Sequence, residues 1–181
     1  MPREINRVDR IVESLLGFAR ATSPKFIPLN LNQLIAQNID AYKGQVSESK
    51  IDIVTNYGRI PQISGDPDQL MQAFSNFLLN AIQSMDAGGK LTISTTEGRR
   101  VENILETVRI AISDTGHGIP QDIIKKLFDP FFTTKYAGTG LGLTIAHCVI
   151  DSHRGTIDVV STVGEGTTFI IDLPIKQESN M

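Results

Sequence analysis

The chain of 181 residues carries one cysteine, Cys148, so an internal disulfide framework is excluded. A lone thiol fits a reducing compartment, and the cytoplasm is the expected location. No apolar run approaches the ~20 residues that a bilayer-spanning helix needs, and the first residues lack a signal-peptide pattern. No membrane contact by this fragment is expected; a parent protein could still be anchored in an inner membrane. A net charge of -3 gives no general attraction to nucleic acid, which is not expected as a partner. Neither internal repeats nor low-complexity segments occur. His147 and Cys148 have no further ligand at metal-binding spacing.

What is present suits one soluble domain with an appendage. Hydrophobic residues make up 40% and charged residues 20%, and a chain this long can bury ~70% of its unfolded surface. Residues 3–20 predict a helix, with Ile5, Val8, Val12, Leu15 and Ala19 in a stripe widened by Ile11, Leu16 and Phe18. That stripe either packs on its own domain or forms half of a helical hairpin that dimerises into a bundle; the second reading is preferred. Thr22-Ser23-Pro24 closes the helix. The expected division is residues 1–23 as this helix, 24–175 as the main domain and 176–181 as a tail.

Within the main domain a short strand at 29–31 leads into a helix reaching about Gln45, and 51–56 alternates as a strand. Asp66-Pro67 starts a helix that runs to Met85 and stops at Gly88-Gly89. Strands are expected at 91–96, 104–114, 155–161 and 167–173, with helices at 121–127 and 141–153. Helices and hairpin-type strands in separate runs predict an α/β sandwich, one mixed and mostly antiparallel sheet covered by helices.

Three features carry chemistry. The helix 67–85 bears an apolar face and an opposite face of Gln72, Asn76, Asn80 and Gln83, with no charge from Gln69 to Met85. Asn76 and Asn80, at i and i+4, can aim two carbonyls at one point. Such oxygens suit Mg²⁺, which shares its coordination with water and phosphate; alternatively they cap neighbouring loops. Asp114 has the same parity as Val108, Ile110 and Ile112, so its carboxylate follows the core side. Its donors come either from the Gly116–Gly118 turn or from a ligand amine such as that of adenine. Gly138, Gly140 and Gly142 then precede a helix, a setting suited to phosphate.

Taken together, these runs resemble the boxes of bacterial sensor histidine kinases. Asn76-Phe-Leu-Leu-Asn80-Ala81 resembles the N box, Asp114-Thr-Gly116-His-Gly118-Ile119 the G1 box and Phe128–Lys135 the F box. Gly138-Thr139-Gly140-Leu141-Gly142-Leu143 resembles the G2 box, and Gly164-Glu-Gly-Thr-Thr168-Phe169 the closing glycine motif. Order and spacing agree across 66–173, and the stretch after Asn80 is similar to the nitrogen-regulation type.

The resemblance implies a Bergerat-type fold that binds ATP and Mg²⁺. Asp114 would accept from the adenine amine, and Gly116, Gly118 and Ile119 would shape the purine pocket. Asn80 would be the principal Mg²⁺ ligand, with Asn76 helping, and both count as catalytic. Residues 129–142 would form a lid, in which Gly138, Thr139, Gly140, Leu141 and Gly142 fold over the phosphates. Lys135 would contact phosphate and Thr168 would support adenine through its hydroxyl. Phe131 or Phe132 would grip the phosphoacceptor helix, the other packing in the lid or core. Gln83 and Ser84 depart from the Lys and aromatic residue many members carry there.

Nothing like the His-Glu-x-x-Asn-Pro phosphoacceptor motif occurs, and His117, His147 and His153 do not resemble it; His153 is expected to cap or pack, where a cation is favoured. The implied partners are therefore a histidine-bearing dimerisation hairpin of a parent kinase, a homodimer there, and the receiver domain of a response regulator. A serine-directed kinase or ATPase on the same fold, and a non-enzymatic ATP-gated interaction module, stay open.

Overall fold

The computed structural model describes residues 24–86, 88–101, 104–135 and 138–176, with only the backbone at 100, 101, 104 and 105. The helix expected at 3–20 and residues 177–181 of the tail lie outside the described residues.

The elements follow in order as β1 (Ile27–Leu29), α1 (Leu31–Ala41), α2 (Lys43–Glu48), β2 (Ile51–Tyr57), β3 (Ile63–Gly65), α3 (Pro67–Gln83) and β4 (Gly89–Glu97). Then come β5 (Arg100–Val101), β6 (Ile104–Leu105), β7 (Thr107–Asp114), α4 (Gln121–Ile124), α5 (Gly142–Ser152), β8 (Thr156–Thr162) and β9 (Gly166–Pro174). Five strands form the main sheet in the order β2-β4-β7-β9-β8, with only the β2–β4 pair parallel. The expected mixed, mostly antiparallel sheet is present.

Strand alternation decides which side is core. Leu91 and Ile93 on β4, Val108, Ile110 and Ile112 on β7, and Phe169, Ile171 and Leu173 on β9 are all buried on one face. Helices α1, α3 and α5 cover that face. Leu70, Phe74, Phe77, Leu78 and Ala81 of α3 point into it, and Phe77 meets Phe169 with ring centroids 5.1 Å apart. Cutting Phe77 to alanine would cost roughly 3–5 kcal/mol. With this face spent on the core, the amide-bearing face of α3 is left to line a cavity.

The start of α3 is fixed by Asp66, whose Oδ1 accepts from the Asp68 and Gln69 amides at 3.1 Å each. Its Oδ2 accepts from the Lys25 amide at 2.8 Å. Desolvation alone would raise the Asp66 carboxyl, but these backbone donors outweigh it and hold it below the usual range. The Asp66 amide in turn donates to Nε2 of His153 at 2.9 Å. His153 Nδ1 lies 2.8 Å from the Val149 carbonyl, and Phe26 packs edge-on against the ring at 5.2 Å. An acceptor at Nε2 and a donor at Nδ1 make this imidazole neutral. Capping and packing by His153 are borne out, whereas the cation favoured at that helix end is not, because burial pushes the ring down.

Three local departures have local causes. The helix expected to reach Gln45 breaks at Tyr42 (φ -106°, ψ 4°), where Gly44 weakens continuation. The first strand lies at Ile27–Leu29, since Asn30 caps α1 by accepting from the Gln33 amide. Its partner β3 is three residues long, too short for an alternation to show.

Candidate functional site

The amide face of α3, the turn after β7 and residues 132–135 and 138–140 border a cavity of about 1040 Å³. Asn76, Asn80, Gly118, Ile119, Lys135, Gly138, Thr139, Gly140 and Gly142 line it. Ser84 and Thr167 line it too, and Asp114 lies immediately behind them.

Asp114 is 3% exposed, and its two oxygens have different surroundings. Oδ1 accepts from the Gly116 amide at 2.9 Å and faces the Ser84 hydroxyl at 3.0 Å. The same hydroxyl lies 2.7 Å from the Ala81 carbonyl, and its single proton cannot fully serve both. Oδ2 is buried with no hydrogen-bond partner among the described residues. Burial pushes the carboxyl up, against the Gly116 amide, the Ser84 hydroxyl, the Thr167 amide and His117. The two sources of donors weighed from sequence are thus divided. The turn serves Oδ1, and nothing among the described residues serves Oδ2.

Gly116 belongs to this arrangement by close approach: a β-carbon there would stand 2.3 Å from the Ser84 Oγ. The following turn is held from β8. Ser161 Oγ accepts from the Ile119 amide at 2.8 Å, donates to the Gly166 carbonyl at 2.9 Å and meets Thr167 Oγ1 at 2.9 Å. All capacity of that hydroxyl is used.

Thr168 departs from expectation. It pairs with Ser113 on the sheet face opposite Asp114, with the two hydroxyl oxygens 2.8 Å apart. Thr167 pairs with Asp114 and takes the cavity-side position. Leu141 is also absent from the cavity lining; it is 5% exposed and packs in the core just before α5.

Lys135 Nζ donates to Asn80 Oδ1 and to Gln83 Oε1, each at 3.0 Å. Burial lowers the Lys135 pKa, while Asp114 and Asp86 act in the opposite sense. Gly142 opens α5 beside Asn76, where an added β-carbon would lie 3.2 Å from Asn76 Oδ1. The start of α5 therefore lies at the same region, where the first amides of a helix lack partners within it. The lid segment is cross-tied by the Phe131 amide donating to the Gly140 carbonyl at 3.0 Å. Both residues have positive φ, 66° and 69°, and a side chain at Gly140 would collide with the Phe131 backbone. Phe131 is 64% exposed, whereas Phe132 lines the cavity.

Among the described residues no cluster of three or more His, Cys, Asp or Glu could hold a metal. A hard cation here would take carbonyl oxygen from Asn80 and Asn76, and those two neutral donors suit Mg²⁺ only when phosphate and water complete its shell. None of the described helices is long and apolar enough to cross a membrane.

Sequence reasoning noted Ser84 only as a departure from the family pattern, and missed Ser161 and Thr167. The last two share the core-side parity of β8 and β9, and a polar residue in that register was their signal. Gln83 was noted only as a departure, since its contact joins residues 52 positions apart.

Residues 65–177 match the model of the histidine kinase-, DNA gyrase B-, and HSP90-like ATPases. The sensor histidine kinase ZraS of Escherichia coli (strain K12) is 35% identical over 97% of this chain and 37% of its own length. The nucleotide-free catalytic domain of histidine kinase ThkA superposes with a TM-score of 0.74 at 30% identity, over 84% of this chain and 97% of that one. ThkA in complex with response regulator protein TrrA gives 0.78 at 27% identity, over 98% of this chain and 50% of that one. The chain thus spans little more than a third of the curated relative's length. With the matched model covering most of the main domain, the chain belongs to the histidine kinase-, DNA gyrase B-, and HSP90-like ATPase family.

Proposed function

We propose that this chain is the ATP-binding catalytic part of a sensor histidine kinase, holding Mg-ATP and passing its γ-phosphate to a histidine. The observation that carries the reading is Asp114 Oδ2, a buried acceptor without a partner among the described residues, set behind a cavity that also gathers a lysine, two asparagine side chains and the start of α5. Adenine carries an amine donor and the triphosphate carries anionic oxygens. Those are the two chemistries the cavity residues can meet.

In this reading Oδ2 accepts from the exocyclic amine while Gly116, Gly118 and Ile119 border the purine, and Thr167 replaces Thr168 as the supporting hydroxyl. Asn80 and Asn76 would hold Mg²⁺, which when bound neutralises charge on the phosphate oxygens. Lys135, Gly138, Thr139, Gly140 and the α5 N-terminus at Gly142 would orient the triphosphate. Catalysis is then mostly positioning: an imidazole nitrogen bonds to the γ-phosphorus, the bond to the bridging oxygen breaks and ADP leaves.

The nucleophile would come from a dimerisation hairpin, with a homodimeric parent kinase and a response regulator receiver domain as the further partners. The ThkA complex supports that kind of partner.

The test is incubation with γ-labelled Mg-ATP and a purified histidine-bearing hairpin from a related kinase. Acid-labile label on the hairpin is expected. Acid-stable label would instead assign a serine-directed kinase, and binding without turnover or transfer an ATP-gated interaction module.

A further inference from the structure

The contact between Gln83 and Lys135 has a feature that the nucleotide reading does not use. Lys135 Nζ rests on two neutral carbonyl oxygens, Asn80 Oδ1 and Gln83 Oε1, each 3.0 Å away. Asn80 and Gln83 stand at i and i+3 on α3, so their side chains share a face. The lysine arrives from the lid segment, on the opposite wall of the cavity. No ion pair of Lys135 with a carboxylate occurs among the described residues.

Two consequences follow from charge. Amide oxygens orient an ammonium without placing a countercharge beside it, and Lys135 lines the cavity. They also hold it more weakly than a carboxylate would, since a hydrogen bond with both partners charged is roughly twice as strong as a neutral one. The seat is thus firm enough to draw the lid across the cavity and weak enough to release the lysine to an anion.

We infer that Gln83 is a positioning residue that seats the lid lysine on the nucleotide-binding helix and keeps its charge available for the triphosphate. The seat explains why a neutral side chain stands at the last turn of α3: a lysine there would repel Lys135, and a glutamate would neutralise it. Gln83 and Lys135 act as one unit, in which the lid supplies the cation and the helix supplies its oxygen ligands.

This inference rests on the nucleotide reading for the triphosphate, but the seat itself is testable without nucleotide. The experiment uses the full chain and its Gln83→Glu, Gln83→Lys and Gln83→Lys/Lys135→Gln variants. Hydrogen exchange of the lid amides at 131–140 is followed in the absence of nucleotide, and affinity for a fluorescent ATP analogue is measured separately.

Gln83→Glu should slow lid exchange severalfold while weakening ATP binding by about tenfold, because the latch tightens as the lysine charge is cancelled. Gln83→Lys should speed exchange and weaken binding together, and the double exchange should restore both to within about threefold. A residue serving only to stabilise the helix end would not drive the two readouts of Gln83→Glu apart.

Lid exchange unchanged in both single variants would overturn the seat, whatever happens to nucleotide. A Gln83→Glu variant that binds ATP as the parent does would overturn the role of the charge. Failure of the parent chain to bind ATP at all would count against the nucleotide reading instead, and leave the exchange result to judge the seat.

Discussion

Ser84 Oγ and Asp114 Oδ1 lie 3.0 Å apart, and this contact helps determine which carboxylate oxygen is left without a partner. The Gly116 amide and the Ser84 hydroxyl both gather at Oδ1, so Oδ2 is the oxygen without a partner. Ser84→Ala removes one of the donors, and a typical net hydrogen bond is worth about 1 kcal/mol. ATP affinity should fall about fivefold, and the loss should deepen as pH is lowered, because removing this donor moves the already raised carboxyl further up. A pH-independent loss in titrations of the variant would point to collapse of the pocket rather than to Asp114.

Thr167 and Thr168 separate the two faces of β9. Thr167→Val strips the hydroxyl that meets Ser161, and should lower ATP affinity about fivefold through the turn that carries Ile119. Thr168→Val touches only the Ser113 contact and should leave binding within about twofold. Binding titrations that reverse this order would place the support on the wrong residue.

Asn80 shares its carbonyl oxygen between Lys135 and the cation it is proposed to hold. Asn80→Ala should remove most of the gain in ATP affinity that Mg²⁺ brings, while affinity in chelator falls by a smaller factor. Paired titrations in Mg²⁺ and in chelator read this directly, and equal losses in both would reject Asn80 as the ligand.

His153 makes stability depend on pH. Its folded pKa is lowered by burial, with the Val149 carbonyl and Asp66 pulling the other way. The unfolded chain therefore binds the proton first as pH falls. The stabilising contribution is complete above the unfolded value near 6.5 and is lost as pH drops below it, at up to about 1.4 kcal/mol per pH unit. Asp66, held low, adds nothing until far lower pH. Asp114, raised by burial, works in the opposite sense. Thermal melts between pH 7.5 and 5.5 should show a decline that His153→Gln reduces, and identical declines in both proteins would refute the assignment.

Much of this was legible in the sequence for physical reasons. The parity of Asp114 with Val108, Ile110 and Ile112 placed its carboxylate on the core side, and the uncharged amide face of α3 marked a wall that solvent does not own. The Thr167 position was legible in the same way, because Phe169, Ile171 and Leu173 share its parity; matching the closing motif alone selected Thr168 instead. Other features were beyond reach. The Gln83–Lys135 contact depends on how the lid folds back across the cavity. The pairing of β1 with β3 involves strands too short to alternate, and the neutral state of His153 depends on an amide 87 residues away.

Asp114→Asn tests the adenine assignment most directly. The Gly116 amide keeps its acceptor only if the new amide oxygen stays at the Oδ1 position. The NH₂ group must then take the place of Oδ2, donor against the adenine donor. A calorimetric titration with ATP should show affinity reduced by about a hundredfold or more, while the melting temperature holds or rises because a buried carboxylate has been removed. A variant that folds as the parent does and binds ATP as tightly would contradict the reading of this cavity as an adenine nucleotide site.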